Sequence, residues 1–207
     1  MRLVGLTGSI GMGKSTTAAL FRAAGAVHYD ADAAVHALYA PGGAAVGPIG
    51  AVFPQAIVEN GVDRARLSEA VKSDPQALAR LEAVVHPLVG RAQIDFLTLA
   101  ERDRAEIVIL DVPLLFETGG HTRVDAVVVV TAPKAVQRAR VLERPGMTAE
   151  ILDRLLARQT PDAEKRARAD FLIETSRGIP AAQADVERVM EGLRHYRARA
   201  WSDRRRR

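Results

Sequence analysis

The chain has 207 residues, 48% of them hydrophobic and 26% charged, which is enough to bury one core and excludes a disordered or fibrous protein. It contains no cysteine, so disulfides, thiol catalysis and thiolate metal sites are excluded. No apolar run approaches the roughly 18 residues needed to cross a bilayer, and the chain enters a strand-like segment at once. We therefore expect a soluble, cytoplasmic protein that does not bind membranes.

The net charge of +4 comes from the end of the chain. Residues 194–207 hold seven arginines and one aspartate, and without them 22 basic residues face 24 acidic ones. The basic character therefore belongs to a tail, residues 201–207, of which we expect residues 204–207 to be disordered. Aromatic residues make up 4% of the chain, too few for a base-stacking surface. This pattern disfavours nucleic acid as a partner.

Five segments rich in Val, Ile and Leu predict β-strands, at residues 2–7, 27–29, 107–112, 126–131 and 171–174. Most are continuously apolar, which is typical of parallel strands covered on both faces. Helix starts are predicted between them, at Lys14, Asp74-Pro75, Thr148, Thr160-Pro161 and residues 178–180. The alternation predicts an α/β fold, a three-layer sandwich around a five-stranded parallel sheet.

Two intervals are too long for plain crossovers. Residues 41–104 contain no convincing strand and predict a mainly helical insertion, in which one helix ends at Val85 because Pro87 interrupts it. Residues 133–169 form a second, shorter insertion in which Arg and Lys crowd two helices. We predict a single domain made of a core (residues 1–40, 105–132 and 170–200), the helical insertion (41–104), a lid (133–169) and the basic tail (201–207).

The strongest motif follows the first predicted strand. The segment GSIGMGKST fills every fixed place of the phosphate-binding pattern G-x-x-x-x-G-K-[ST], and its alternative is a glycine-rich turn with an incidental lysine. Because a strand leads in and a helix leads out, main-chain N–H groups and the helix dipole would face a phosphate. Lys14 would reach the β and γ phosphates, and the Ser15 hydroxyl would ligate Mg²⁺. The predicted nucleotide-binding residues are Gly8, Ser9, Ile10, Gly11, Met12, Gly13, Lys14, Ser15 and Thr16.

Acidic residues follow two other predicted strands. Asp30 and Asp32 stand where open α/β sheets bind ligands; one of them would cap the next helix, and we favour Asp32 as a base that accepts the proton of an attacking hydroxyl. Asp111 ends the strand in IVILDVPLLFE, where it would hold Mg²⁺, directly or through water, or form a turn before Pro113. The guanine-reading string NKxD does not occur in the sequence, which disfavours a GTPase.

The predicted lid carries several arginines. Arg140 and Arg144 are four residues apart and share a helix face. Guanidinium groups on a mobile segment could close over a triphosphate and neutralise charge on the transferred group, or the face could simply be solvated. Its position favours Arg140. His86 precedes Pro87 and is typical of a hydrogen-bonding residue at a helix end, and the other histidines show no metal-ligand spacing.

Taken in order, the segments LTGSIGMGKST, YDAD, VVHPLV, DVPLLFE, the Arg-rich lid and ADFLIE resemble the dephospho-CoA kinase family. The resemblance runs from about residue 3 to residue 175. It implies a P-loop kinase of the nucleoside-monophosphate-kinase type that uses ATP and Mg²⁺. The implied reaction is phosphorylation of the 3′-hydroxyl of dephospho-CoA, the last step of coenzyme A biosynthesis.

The same resemblance implies roles for individual residues. Asp32 would be the base, and Lys14 and Arg140 would stabilise the transferred group. Arg144 and residues 173–178 would lie near the adenine of ATP. The family often carries an Asn where this chain has Thr175, whose hydroxyl lacks the paired donor and acceptor of an amide, so the strictness of the ATP preference stays open, as does the oligomeric state. On the acceptor's side, with residues 41–104 as acceptor-binding domain, would lie His86, Leu114, Leu115 and Glu117.

Two other hypotheses stay open on the sequence. The chain could be another small-molecule or nucleoside monophosphate kinase, because such enzymes share the phosphate loop and the lid. It could also be a nucleotide-dependent interaction protein that uses its basic tail on nucleic acid. Acceptor screening separates the first alternative, and deletion of residues 202–207 separates the second.

Overall fold

The computed structural model describes residues 1–72, 74 and 76–206. The chain forms two compact units, one made of Met1–Tyr29 with Ala100–Arg207 and the other of Asp30–Leu99. The strands are β1 (Arg2–Thr7), β2 (Val27–Asp30), β3 (Ile57–Val58), β4 (Gly61–Val62), β5 (Ile107–Asp111), β6 (Ala126–Thr131) and β7 (Phe171–Glu174). The helices are α1 (Lys14–Ala23), α2 (Ala31–Tyr39), α3 (Val46–Val52), α4 (Arg64–Lys72), α5 (Ala77–Arg102), α6 (Lys134–Leu142), α7 (Ala149–Leu156), α8 (Asp162–Ala167), α9 (Ile179–Arg194) and α10 (Ala200–Arg204).

A five-stranded sheet in the order β2-β5-β1-β6-β7 forms the centre of the first unit. Strand β1 pairs in parallel with β5 and β6, and β6 pairs in parallel with β7. Every residue of β5 and β6 is buried, as the continuous apolar runs predicted. The predicted α/β fold with a five-stranded parallel sheet is confirmed.

Both faces of this sheet are covered. Because successive side chains of a strand point to opposite faces, Val128 and Val130 join the core beneath α1 and α9, whereas Val127 and Val129 pack on the other side with Leu115 and Phe116. On the first face Phe21 of α1 and residues of α9 are fully or almost fully buried, and the α9 residues are Val186, Val189, Met190 and Leu193. These residues recur at helical spacing and form the buried face of α9.

The second unit has its own core and one feature that the sequence analysis missed. The core is formed by Ile49, Phe53, Leu67 and Val85 with smaller neighbours. Strands β3 and β4 pair antiparallel, although no strand was predicted in this interval. Glu59 and Asn60 between them both have positive φ, as the tight turn of a two-residue hairpin requires. Strands of two residues are too short to give a periodic signal, and only the dipeptide Asn60-Gly61 marks the turn.

Helix α5 corrects a predicted boundary. It runs for 26 residues through Pro87, whereas the predicted helix ends at Val85. Val85, Leu88 and Val89 all pack into the core of the second unit, so apolar burial on both sides of the proline sustains the helix despite the lost hydrogen bond. The predicted start at Asp74-Pro75 falls partly on Pro75, which lies outside the described residues.

The end of the chain is folded further than expected. Helix α10 buries Trp201, and main-chain N–H groups of Arg199 and Ala200 donate to Asp125 Oδ1 at 2.7 and 2.8 Å. Arg204 donates to the carbonyl of Arg123, and Arg205 forms an ion pair with Glu101. The prediction of disorder is therefore wrong for residues 204–206; Arg207 lies outside the described residues. In the part of the chain that the structure describes, no helix has the length and apolar content needed to cross a membrane.

Candidate active site

The loop between β1 and α1 has the backbone geometry of a tight phosphate cradle. Gly11 and Gly13 have φ of 79° and 90°, values that glycine adopts without strain. A Cβ at Gly8 would lie 2.6 Å from the carbonyl oxygen of Val130, and one at Gly11 would overlap the Val141 side chain. Steric contact therefore requires glycine at positions 8 and 11, and at position 11 the positive φ favours it as well.

The loop is held from behind by the neighbouring elements. Gln137 of α6 donates from Nε2 to the Ile10 carbonyl at 2.8 Å, and the Thr175 hydroxyl donates to the Met12 carbonyl at 2.8 Å. The Met12 side chain is buried, and its sulfur accepts from the N–H of Ala132. These contacts satisfy carbonyls of the loop from the protein side, and they fix its shape before any ligand binds.

Behind the loop, the Lys14 ammonium forms an ion pair with Asp111 at the end of β5. Asp111 is 5% exposed. His28 of β2 lies on its other side, with Nε2 3.5 Å from Asp111 Oδ2. Within residues 1–72, 74 and 76–206 this buried nitrogen has no hydrogen-bond partner. His28 could not be assigned to the site from the sequence, because only the neighbouring positions of β2 and β5 in the sheet bring it beside Asp111.

The donor atoms available for Mg²⁺ are a hydroxyl and a carboxylate. Ser15 is exposed in the first turn of α1. Asp111 forms an ion pair with Lys14, the residue before Ser15. Oxygen ligands of these two types fit Mg²⁺, which is usually held by one or two protein groups and by phosphate oxygens. No cluster of three or more His, Asp or Glu side chains suited to a metal occurs among the described residues.

Five of the predicted nucleotide-site residues line one cavity in the first unit, with a volume of about 390 Å³. They are Gly11, Gly13, Thr16, Arg140 and Arg144. The Arg140 guanidinium is held there by Thr175: Nη1 donates to the hydroxyl and Nη2 to the carbonyl, both at 2.8 Å. Arg140 therefore has a fixed position beside the glycines of the loop, and the Arg144 residue beside it is exposed.

Three of the residues predicted on the acceptor's side belong to the first unit, and their surroundings differ. They are Leu114, Leu115 and Glu117. Leu114 is exposed. Leu115 is 1% exposed and packs against Gly5, so its side chain lies among core residues in this structure. Its place on the acceptor's side stays a prediction. An apolar run alone does not distinguish a core leucine from a surface one.

Glu117 is the third of these residues, and it is committed to an ion pair. Its Oε1 accepts from the N–H of Thr160 at 2.6 Å and lies 3.2 Å from Nζ of Lys165, a fully buried residue of α8. Burial alone would raise the pKa of Glu117, but the hydrogen bond from Thr160 and the charge of Lys165 lower it below the usual value of 4.5. Glu117 therefore ties the segment after β5 to the predicted lid.

In the second unit the two aspartates at the end of β2 differ in their contacts. Asp30 is the N-cap of α2 and accepts from the N–H of Ala33 at 2.9 Å. Asp32 is exposed in the first turn of the same helix. No hydrogen bond or ion pair engages it from residues that the structure describes. The capping role thus falls on Asp30 and not on Asp32. His86 is exposed in the middle of α5 and not at a helix end.

Comparison with known proteins decides the family. The family model for dephospho-CoA kinase matches residues 2–181. The chain belongs to the dephospho-CoA kinase family. A dephospho-CoA kinase from Rhodopseudomonas palustris is 55% identical over 92% of this chain and 94% of its own, and one from Mesorhizobium japonicum is 54% identical over 95% and 99%. The predicted family and enzyme class, a kinase, are confirmed.

Solved structures agree with the fold of this family. A crystal structure from Thermus thermophilus has 37% identity and a TM-score of 0.74, covering 93% of this chain and 95% of that one. A dephospho-CoA kinase from Campylobacter jejuni has 21% identity and a TM-score of 0.63, covering 93% and 97%. A shikimate kinase from Bacteroides thetaiotaomicron has 17% identity and a TM-score of 0.51, covering 93% and 98%. The P-loop kinase fold is confirmed, and the shikimate kinase shares it.

Proposed function

We propose that this chain transfers the γ-phosphoryl group of ATP to the 3′-hydroxyl of the ribose of dephospho-CoA, yielding coenzyme A and ADP. The observation that carries the proposal is the phosphate cradle, in which a lysine paired with a buried carboxylate adjoins a glycine loop fixed from behind. Such a loop binds polyphosphate, and family membership supplies the acceptor.

The reaction forms one bond to the γ-phosphorus and breaks another. The 3′-oxygen of the acceptor bonds to phosphorus while the bond from phosphorus to the oxygen bridging the β and γ groups breaks, and that electron pair stays on ADP. Asp32 would take the proton of the 3′-hydroxyl. Lys14 and Arg140 would neutralise the negative charge on the transferred group, which is the main demand that phosphoryl transfer makes on a protein.

A magnesium ion belongs to this proposal. When bound, it would offset the charge of the phosphate oxygens, and Ser15 and Asp111 are the residues that would hold it. Arg144 would lie along the nucleotide, because it lines the cavity that also contains Gly11 and Gly13. We further propose residues 41–104 as the acceptor-binding part and residues 133–169 as the lid. The residues on the acceptor's side would be His86, Leu114, Leu115 and Glu117.

An acceptor panel tests the reaction. ADP release from ATP is measured with dephospho-CoA, shikimate and a nucleoside monophosphate, and the product is identified by mass spectrometry. We expect turnover with dephospho-CoA and phosphate on the ribose 3′-oxygen. Activity only with shikimate or a nucleoside monophosphate would refute the proposed acceptor and favour the other small-molecule kinases.

Asp32→Asn tests the base and has a matched control two residues away. We expect its turnover to fall by roughly 10² or more, the usual contribution of a positioned base, with nucleotide affinity measured by calorimetry largely unchanged. Asp30→Asn should keep near-normal turnover, since Asn caps a helix about as well as Asp. Near-normal turnover of Asp32→Asn would exclude Asp32 as the base.

A further inference from the structure

Thr175, the residue after β7, lies where three parts of the first unit meet. Its N–H donates to the Thr131 carbonyl of β6 at 3.0 Å, and its hydroxyl donates to the Met12 carbonyl of the phosphate loop at 2.8 Å. Arg140 of α6 donates to the hydroxyl and the carbonyl of Thr175, both at 2.8 Å. One residue thus contacts the sheet, the phosphate loop and the arginine of the predicted lid.

The hydroxyl of Thr175 has no donor left for a ligand. A threonine hydroxyl carries one hydrogen, and at 2.8 Å the Met12 carbonyl is the closer of its two acceptors, since that of Thr131 is 3.4 Å away. Its oxygen also accepts from Arg140 Nη1. The hydroxyl therefore donates one hydrogen bond and accepts another within the protein. This argues against its recognising a nucleobase.

The contact also determines where the charge of Arg140 lies. An arginine side chain has many rotamers, and two N–H groups held on one residue select among them. The selected position is beside the loop: Arg140, Gly11 and Gly13 line the same cavity, and a Cβ at Gly13 would lie 3.2 Å from the Thr175 hydroxyl. Because catalysis by fixed charge depends on placement before reaction, the hydrogen bonds of Thr175 have a catalytic consequence.

We propose that Thr175 is a positioning residue that fixes the Arg140 guanidinium relative to the phosphate loop, and not a residue that selects the base. This inference rests on the proposed function, in which Arg140 acts on the transferred phosphoryl group. It gives Thr175 a role in addition to the expected position of residues 173–178 near the adenine.

A double-mutant cycle on the full chain tests the inference. Thr175→Val keeps the shape of the side chain and removes the hydroxyl, and we expect kcat with ATP and dephospho-CoA to fall about tenfold, with KM for ATP within twofold. Thr175→Ser should restore kcat to within about twofold. In an Arg140→Ala background, Thr175→Val should cost less than twofold, because the group that it positions is gone. Thr122→Val, which removes an exposed hydroxyl that donates to the Gly119 carbonyl, is the control and should behave as the unaltered chain.

Three results would overturn the inference. The first is an unchanged kcat in Thr175→Val, and the second is an equal loss of kcat on Thr175→Val with and without Arg140. The third is a changed ratio of kcat/KM for ATP over GTP in Thr175→Val, which would show that the hydroxyl recognises the nucleobase. If the unaltered chain does not phosphorylate dephospho-CoA but phosphorylates another acceptor of the panel, the double-mutant cycle is run with that acceptor. Failure of the proposed function is then distinguished from failure of this inference. A crystal structure of Thr175→Val with ADP needs no acceptor: a displaced Arg140 agrees with the inference, and an unmoved one contradicts it.

Discussion

Lys14 occupies the position at which a lost charge should affect turnover most. Its ammonium is at the start of α1 and pairs with Asp111, a buried carboxylate that also faces His28. A lysine held in this way can exchange the carboxylate for phosphate oxygens without a change of backbone.

Lys14→Ala should lower turnover by roughly 10²-fold or more, the usual cost of removing a charge that stabilises the transition state. The check is kcat from ADP release at saturating dephospho-CoA, with Arg22→Ala, a change at an exposed residue of α1, as the control. Retention of more than a tenth of the original turnover would show that the lysine is not required for transfer.

Glu117 and Lys165 should contribute to stability in a way that depends on pH. Since the pKa of Glu117 is lower in the folded chain than its usual 4.5, its contribution is complete above that pH and is lost as the pH falls. Glu117→Gln would also leave the fully buried Lys165 without its partner.

We expect Glu117→Gln to reduce the free energy of unfolding by about 3 kcal/mol at pH 7, and the difference from the unaltered chain to narrow below about pH 4.5. Urea denaturation followed by circular dichroism at several pH values measures this, with Glu82→Gln, at an exposed residue of α5, as the control. A difference that stays constant from pH 7 to pH 3.5 would contradict the assignment.

The sequence was sufficient for those site residues whose chemistry depends on local spacing. Gly8, Gly13, Lys14 and Ser15 could be predicted because the pattern lies within one strand, turn and helix. His28 and Lys165 could not, because their partners Asp111 and Glu117 are more than forty residues away along the chain. The burial of Leu115 could not be predicted either, because it depends on packing with Gly5 of β1 and Val127 of β6.

At the level of elements, composition was informative where a segment is long and wholly buried. All five strands of the large sheet were predicted, since continuous Val and Ile runs have few other uses. The two errors inside residues 41–104 have different causes. Strands β3 and β4 are too short to give a period, and the continuation of α5 through Pro87 depends on packing that no local rule contains.

The whole molecule has a nearly neutral body and a basic end, and the structure assigns that end a packing role. Trp201 is 5% exposed, and Asp125 holds the start of α10. The arginines that suggested nucleic-acid binding include Arg204, bonded to the Arg123 carbonyl, and Arg205, paired with Glu101.

Two shortened chains should separate packing from catalysis and from nucleic-acid binding. Deletion of residues 202–207 should leave kcat unchanged, whereas a chain ending at Arg199 should lose about 3 kcal/mol of stability with Trp201, or roughly 6 to 12 °C in melting temperature. Calorimetry and the ADP assay measure both. Loss of turnover on deleting 202–207, or salt-dependent binding of an oligonucleotide that disappears with them, would favour the interaction-protein hypothesis.

The carboxylate of Asp125 has a practical consequence for protein engineering. Its two oxygens accept from Leu3 on one side and from Arg199 and Ala200 on the other, and Arg2 donates to the carbonyls of Arg194 and Tyr196. The first and last segments of the polypeptide therefore meet near the amino-terminal end of β1. This point lies one strand length from the glycine loop, which is about 20 Å. A short linker between them, with new termini opened elsewhere, should yield a circular permutant, and purification tags there should stay clear of bound nucleotide.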